Sequence, residues 1–118
     1  MNTVLIIDDS KTSRSMLRNI LVENDYEVIA EAENGEEGFN KYCEFQPDFV
    51  TLDITMPVMD GIQTLEKIKD YDADAKVIMV TAAGQKNKML EAIKLGAAEF
   101  VTKPFETSQI ISILESIK

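Results

Sequence analysis

Three carboxylates, one hydroxyl and one ammonium stand out in this chain because of where they fall. Asp8 and Asp9 end the apolar run Val4 to Ile7, and Asp53 ends the run Phe49 to Leu52. Thr81 ends the run Val77 to Val80, and Lys103 follows shortly after Phe100 and Val101. Each polar group thus stands at or near the carboxyl end of a segment whose composition suits a strand covered on both faces. One such residue is explained by helix capping, since Asp and Thr often begin the helix that follows a strand. Five gathered at one edge are not, because carboxylates brought together repel unless a cation joins them. Lys103 supplies one positive charge. Three carboxylates and one ammonium leave about −2, which a single divalent cation on oxygen ligands neutralises. Magnesium keeps water and takes phosphate oxygens. The chemistry these residues suit is phosphoryl transfer, where positioning and charge neutralisation do most of the catalysis.

Composition removes several alternatives. The chain has 118 residues, no histidine and one cysteine, Cys43. Without histidine there is no Ser-His-Asp triad, no histidine-containing zinc site and no imidazole base. A metal must therefore sit on oxygens, as magnesium, calcium or manganese do. One cysteine cannot form an intramolecular disulfide, which fits a reducing compartment. The net charge of −9 repels nucleic-acid phosphates, so no nucleic-acid partner is expected. The run Val4 to Ile7 is too short for a signal peptide and has no cationic start. No stretch reaches the length of a membrane span. These features predict a soluble, cytoplasmic protein with no membrane partner.

The elements that must position the polar groups alternate along the chain. Four apolar runs read as buried strands, and Val28 to Ala32, with Glu31 inside it, reads as an edge strand. Between them lie helical patterns. Ser10 caps a helix whose face carries Ser13, Leu17, Ile20 and Leu21. Asn34-Gly35 opens a second with Phe39, Tyr42 and Cys43; Gly38 within it predicts a weak helix. Asp60 caps a third with Ile62, Leu65 and Ile68. A fourth carries Met89, Leu90 and Ile93 and stops at Gly96. The fifth carries Ile110, Ile113, Leu114 and Ile117. Five strands alternating with five helices predict an α/β fold with a doubly wound parallel sheet, whose function collects beyond the carboxyl ends of the strands.

The motifs Ile-Ile-Asp8-Asp9-Ser, Leu-Asp53-Ile-Thr-Met-Pro57-Val-Met-Asp-Gly61, Val-Thr81-Ala-Ala and Gly96-Ala-Ala-Glu-Phe100-Val-Thr-Lys103-Pro104-Phe105 follow one another in this order. Together they resemble the receiver domain of two-component response regulators, over the whole chain, and most of all the stand-alone chemotaxis regulators of the CheY type. The resemblance implies a flavodoxin-like five-stranded sheet of order 2-1-3-4-5 and a single receiver domain over residues 1–118 without an output domain. It implies Asp53 as the nucleophile that becomes an acyl phosphate, already ionised at neutral pH and needing no base. Asp8, Asp9, Asp53 and the backbone carbonyl of Thr55 would hold Mg2+ or Mn2+. Lys103, the Thr81 hydroxyl and the Ala82 amide would contact phosphoryl oxygens. Thr81 and Phe100 would form the switch, with Thr81 moving toward the phosphoryl group and the ring of Phe100 filling the space it leaves. Thr55 and Ala83 would tune the phosphoryl lifetime. Ala83 has no group to orient water, so no fast side-chain-assisted hydrolysis is expected. Pro57 and Gly61 would shape the loop after Asp53, with Gly61 at a positive φ, and Lys103–Pro104 would be a cis peptide.

The resemblance further implies a monomer that is a signalling protein rather than an enzyme. Its phosphodonor would be a sensor histidine kinase. Its output would be a changed surface on the fourth helix, fifth strand and fifth helix, with a flagellar motor switch or a phosphatase among the candidate targets. The alternative within the class is a phosphorelay intermediate that passes its phosphate to a histidine phosphotransfer protein. Two other classes fit worse. Aspartyl phosphatases place a second acid two residues after the nucleophile, where this chain has Thr55. A flavodoxin-like cofactor binder needs a phosphate-cradling loop after the first strand, where Asp8 and Asp9 repel anions.

Overall fold

The apolar runs all become strands, and the segments between them become the helices that bury them. The computed structural model describes residues 2–56, 59–82 and 85–118. In chain order the elements are β1 (Thr3–Ile7), α1 (Lys11–Glu23), β2 (Glu27–Ala32), α2 (Gly35–Phe45), β3 (Phe49–Asp53), α3 (Gly61–Tyr71), β4 (Val77–Thr81), α4 (Lys86–Lys94), β5 (Glu99–Thr102) and α5 (Thr107–Ser116). The strands form one parallel sheet in the order β2-β1-β3-β4-β5, which is the flavodoxin-like topology expected from the sequence. Two cores follow from the alternation of side chains along each strand. On one face Val4, Ile6, Phe49, Ile78, Val80 and Val101 meet Leu17 and Leu21 of α1 and Ile110 and Leu114 of α5. On the other, Leu5, Ile7, Val50, Leu52, Val77 and Met79 meet Tyr42 of α2, Leu65 and Ile68 of α3 and Ala92 of α4.

Helix starts are fixed by the residues expected to fix them. The Ser10 hydroxyl accepts from the Ser13 amide at 3.2 Å, and the Asn34 side chain accepts from the Glu37 amide at 2.8 Å. Asp60 forms a reciprocal capping box with Gln63. Caps of this kind are each worth about 1 kcal/mol. Gly96 ends the α4 segment at φ +101°. As the charge pattern suggested, β2 is the margin of the sheet. Its Glu31 accepts from Arg14 at 3.1 Å and from Arg18 at 2.6 Å, and its backbone carbonyl accepts from Lys41 of α2.

Three details depart from expectation. The run of β3 is interrupted by Thr51, which is buried and whose hydroxyl has no partner among the described residues. In α4, Leu90 and Ile93 point outward, 53% and 46% exposed, and Ala92 is the residue that packs on the sheet. A short helix needs only one narrow contact stripe, and Met89, Ala92 and Leu95 provide it. Gly38 has a packing reason that the helix pattern does not show. A Cβ there would lie 2.5 Å from Ile7 Cδ1, so its absence lets α2 sit directly on β1.

Gly38→Ala therefore sets a gain in helix propensity of about 1 kcal/mol against overpacking of about 1–3 kcal/mol. The expected outcome in urea melts is a net loss of stability, with Ile7→Val added to Gly38→Ala recovering part of it. A more stable Gly38→Ala variant would show that Ile7 yields freely.

Candidate functional site

Four of the five strands deliver one polar cluster to the carboxyl edge of the sheet. Asp8 leaves β1 buried, with one carboxylate oxygen accepting from the Ser10 amide at 2.9 Å and the other from Lys103 Nζ at 3.1 Å. Asp53 ends β3, also buried, with Lys103 Nζ 3.8 Å from its carboxylate. Asp9 is exposed beside them. Carboxylate oxygens of Asp8, Asp9 and Asp53 all lie within 4.8 Å of one another. Lys103 reaches the cluster from beyond β5. Its amide donates to the Thr81 carbonyl at 2.7 Å, and its ammonium also lies 3.4 Å from the Ser13 hydroxyl. The Lys103–Pro104 peptide is cis, as expected.

Electrostatics follow from that packing. Burial, and next the neighbouring Asp8 charge, push the Asp53 carboxyl up from 3.8 to about 6, against the opposing pull of Lys103 and of the Thr55 amide. One ammonium does not compensate three carboxylates. The donor set, all hard oxygens with one exposed member, fits a divalent cation such as magnesium.

Gly61 serves the same site for a reason other than the expected one. It is not at a positive φ. A Cβ on it would lie 2.3 Å from the Asp53 carbonyl oxygen, and its amide donates to the Ile54 carbonyl at 2.7 Å. The start of α3 is thus pressed against the backbone that carries Asp53.

Thr81 ends β4 buried, on the sheet face shared with Met79. Phe100 is the register partner of Met79 and packs half-buried on the same face. The Thr81 hydroxyl lies 3.1 Å from the Ala82 carbonyl and 3.1 Å from Gln85 Oε1, and Gln85 Nε2 donates to the Thr55 hydroxyl. Thr55 and Ala82 are exposed at the rim. Pro57 and Ala83, also named from the sequence, lie outside the described residues. Three participants were not anticipated in these positions: Gln85 beside Thr81, Ser13 beside Lys103, and Arg14, whose guanidinium donates to the Asp8 carbonyl at 2.7 Å. Only Gln85 left a trace in the sequence, as an unusual residue immediately before α4, where Ser, Thr, Asp or Asn is preferred.

The response regulator receiver domain family matches residues 4–115. The chain belongs to that family. Among curated proteins, the receiver is 50% identical over 115 residues to the chemotaxis protein CheY of Listeria monocytogenes, covering 98% of this chain and 97% of that one. It is 48% identical over 111 residues to CheY of Bacillus subtilis, covering 94% and 92%. Among solved structures, it matches a CheX-CheY-BeF3-Mg+2 complex from Borrelia burgdorferi with a TM-score of 0.94 at 36% identity, covering 98% of this chain and 88% of that chain. It is a receiver of the CheY type. Receiver domains bind Mg2+ at an acidic pocket, and Asp8, Asp9 and Asp53 form such a group in this one. No helix among the described residues is long and apolar enough to cross a membrane.

The raised Asp53 carboxyl gives a pH dependence with a definite sign. The folded state holds this proton more tightly than the unfolded chain, so the associated stability is present below about pH 4 and is lost as pH rises through about 6. In chelator-treated protein, Asp53→Asn should be the more stable variant at pH 7, by up to about 3 kcal/mol, and the difference should close on acidification. Thermal melts of both proteins across this range check it. A difference independent of pH would show that Asp53 carries no strained charge.

Proposed function

We propose that this chain is a phosphorylation-controlled signalling switch in which Asp53 accepts a phosphoryl group from a phosphohistidine of a sensor kinase. The observation that carries the proposal is the joining of Asp8, Asp9 and Asp53 in one group with a single ammonium, Lys103, shared between Asp8 and Asp53. In the transfer, an Asp53 carboxylate oxygen forms the new O–P bond while the donor's N–P bond breaks, and the nitrogen's electron pair stays with the donor. Asp8, Asp9, Asp53 and the Thr55 carbonyl would hold Mg2+, which would supply charge neutralisation at the phosphoryl oxygens. Lys103 neutralises a further oxygen, and the Thr81 hydroxyl and Ala82 amide donate hydrogen bonds to others.

The same hydrogen bond drives the output. Thr81 and Phe100 lie on one face of neighbouring strands, which supports a coupled movement of the hydroxyl and the ring. Two arrangements that differ in the energy of the Thr81 bond are enough to shift the population of α4, β5 and α5 surfaces on phosphorylation. The resemblance to chemotaxis proteins of several bacteria supports a target in that pathway.

Incubation with a small acyl phosphate and Mg2+ should add one phosphoryl group, read by intact mass, and Asp53→Asn should abolish it. Lys103→Ala should slow the reaction by at least tenfold. Phosphorylation that persists in the Asp53→Asn variant, or that is unaffected by chelating Mg2+, would remove the basis of the proposal.

A further inference from the structure

Gln85 occupies the residue immediately before α4 and does not cap it. No side-chain hydrogen bond closes the start of this helix. Glutamine is a poor choice for that position, where short polar side chains reach back to the free amides. Its carboxamide is used elsewhere. It stands between two hydroxyls of the phosphorylation site, with Oε1 3.1 Å from the Thr81 hydroxyl and Nε2 donating to that of Thr55. It therefore joins the end of β4 to the loop after β3, across the rim of the site.

A threonine hydroxyl has one proton to give. Here that proton is shared between two acceptors, Gln85 Oε1 and the Ala82 carbonyl. A phosphoryl oxygen is an acceptor as well, so it needs the same proton. Any hydrogen bond from Thr81 to a phosphoryl group on Asp53 must displace a bond that Thr81 already makes. The second anchor makes the displacement more costly, because the carboxamide is held in place by Thr55 as well.

We propose that Gln85 is a positioning residue that holds the Thr81 hydroxyl in its unphosphorylated arrangement by tying it to Thr55. It raises the free energy of switching, and it does so without contact with the reacting atoms. The hold is weak in the way a switch requires. α4 buries only Ala92, so the segment that begins at Gln85 is bound to the sheet by one narrow stripe and can move when the tie is released. The inference rests on the phosphorylation-switch function proposed above.

The test is titration of the Mg2+-saturated protein with beryllofluoride, a mimic of the phosphoryl group. Gln85→Ala removes the carboxamide, and Gln85→Met removes it while keeping the length of the side chain. Both should bind beryllofluoride more tightly, by roughly 2- to 12-fold, the range for one neutral hydrogen bond no longer lost on binding. In a Thr81→Val background, where no hydroxyl is left to hold, the same substitutions should change the affinity by less than about twofold. Mg2+ affinity should stay unchanged. Unchanged or weaker beryllofluoride binding by Gln85→Met, or an equal gain in the Thr81→Val background, overturns the role assigned to Gln85. Failure of the unsubstituted chain to bind beryllofluoride overturns the phosphorylation switch itself, and with it this inference.

Discussion

Repulsion among three carboxylates at one edge of the sheet is the constraint from which the rest of the molecule can be understood. Asp8 and Asp53 are held out of water by strands buried on both faces, so their charges are not dissipated by solvent. Lys103 answers only part of that charge, from 3.1 Å and 3.8 Å. The remainder is a standing repulsion among the carboxylates that a divalent cation on the same oxygens would relieve. Such stored electrostatic strain is common where a site must be ready before its ligand arrives.

Much of the surrounding structure keeps this cluster from spreading apart. Gly61 lets α3 press against the Asp53 backbone, Arg14 grips the Asp8 carbonyl, and the Lys103 amide ties the loop after β5 to the end of β4. These three contacts come from different parts of the chain: Gly61 and Arg14 act on the backbone of an acidic residue, and the Lys103 amide anchors the residue whose ammonium faces Asp8 and Asp53. A doubly wound sheet makes that economical, since every strand of one direction ends at the same edge.

Most of this was legible from the chain alone, because strands covered on both faces leave continuous apolar runs and because Ser10, Asn34 and Asp60 mark helix starts chemically. The residues misjudged were those whose role depends on a partner distant in sequence. Gly38 reads locally as a weak point of its helix, but Ile7 lies against it; Gly61 reads as a turn glycine, but the Asp53 carbonyl lies against it. Leu90 and Ile93 fit a helical stripe, but a nine-residue helix shows the sheet only part of its circumference. Gln85 bridges residues four and thirty positions away, a relation that no local pattern encodes.

The outer margin of β2 has a consequence of its own. A bare strand there would offer its backbone to the next molecule, and ordered growth of one sheet into another is how such proteins are lost to fibres and precipitates. In this chain the margin carries Glu31, gripped by Arg14 and Arg18, with its carbonyl already accepting from Lys41. An incoming strand would have to strip that ionic cover before gaining its first ladder bond. That margin is thus guarded against strand addition by a charge of its own, Glu31, and by Arg14, Arg18 and Lys41 of the neighbouring helices.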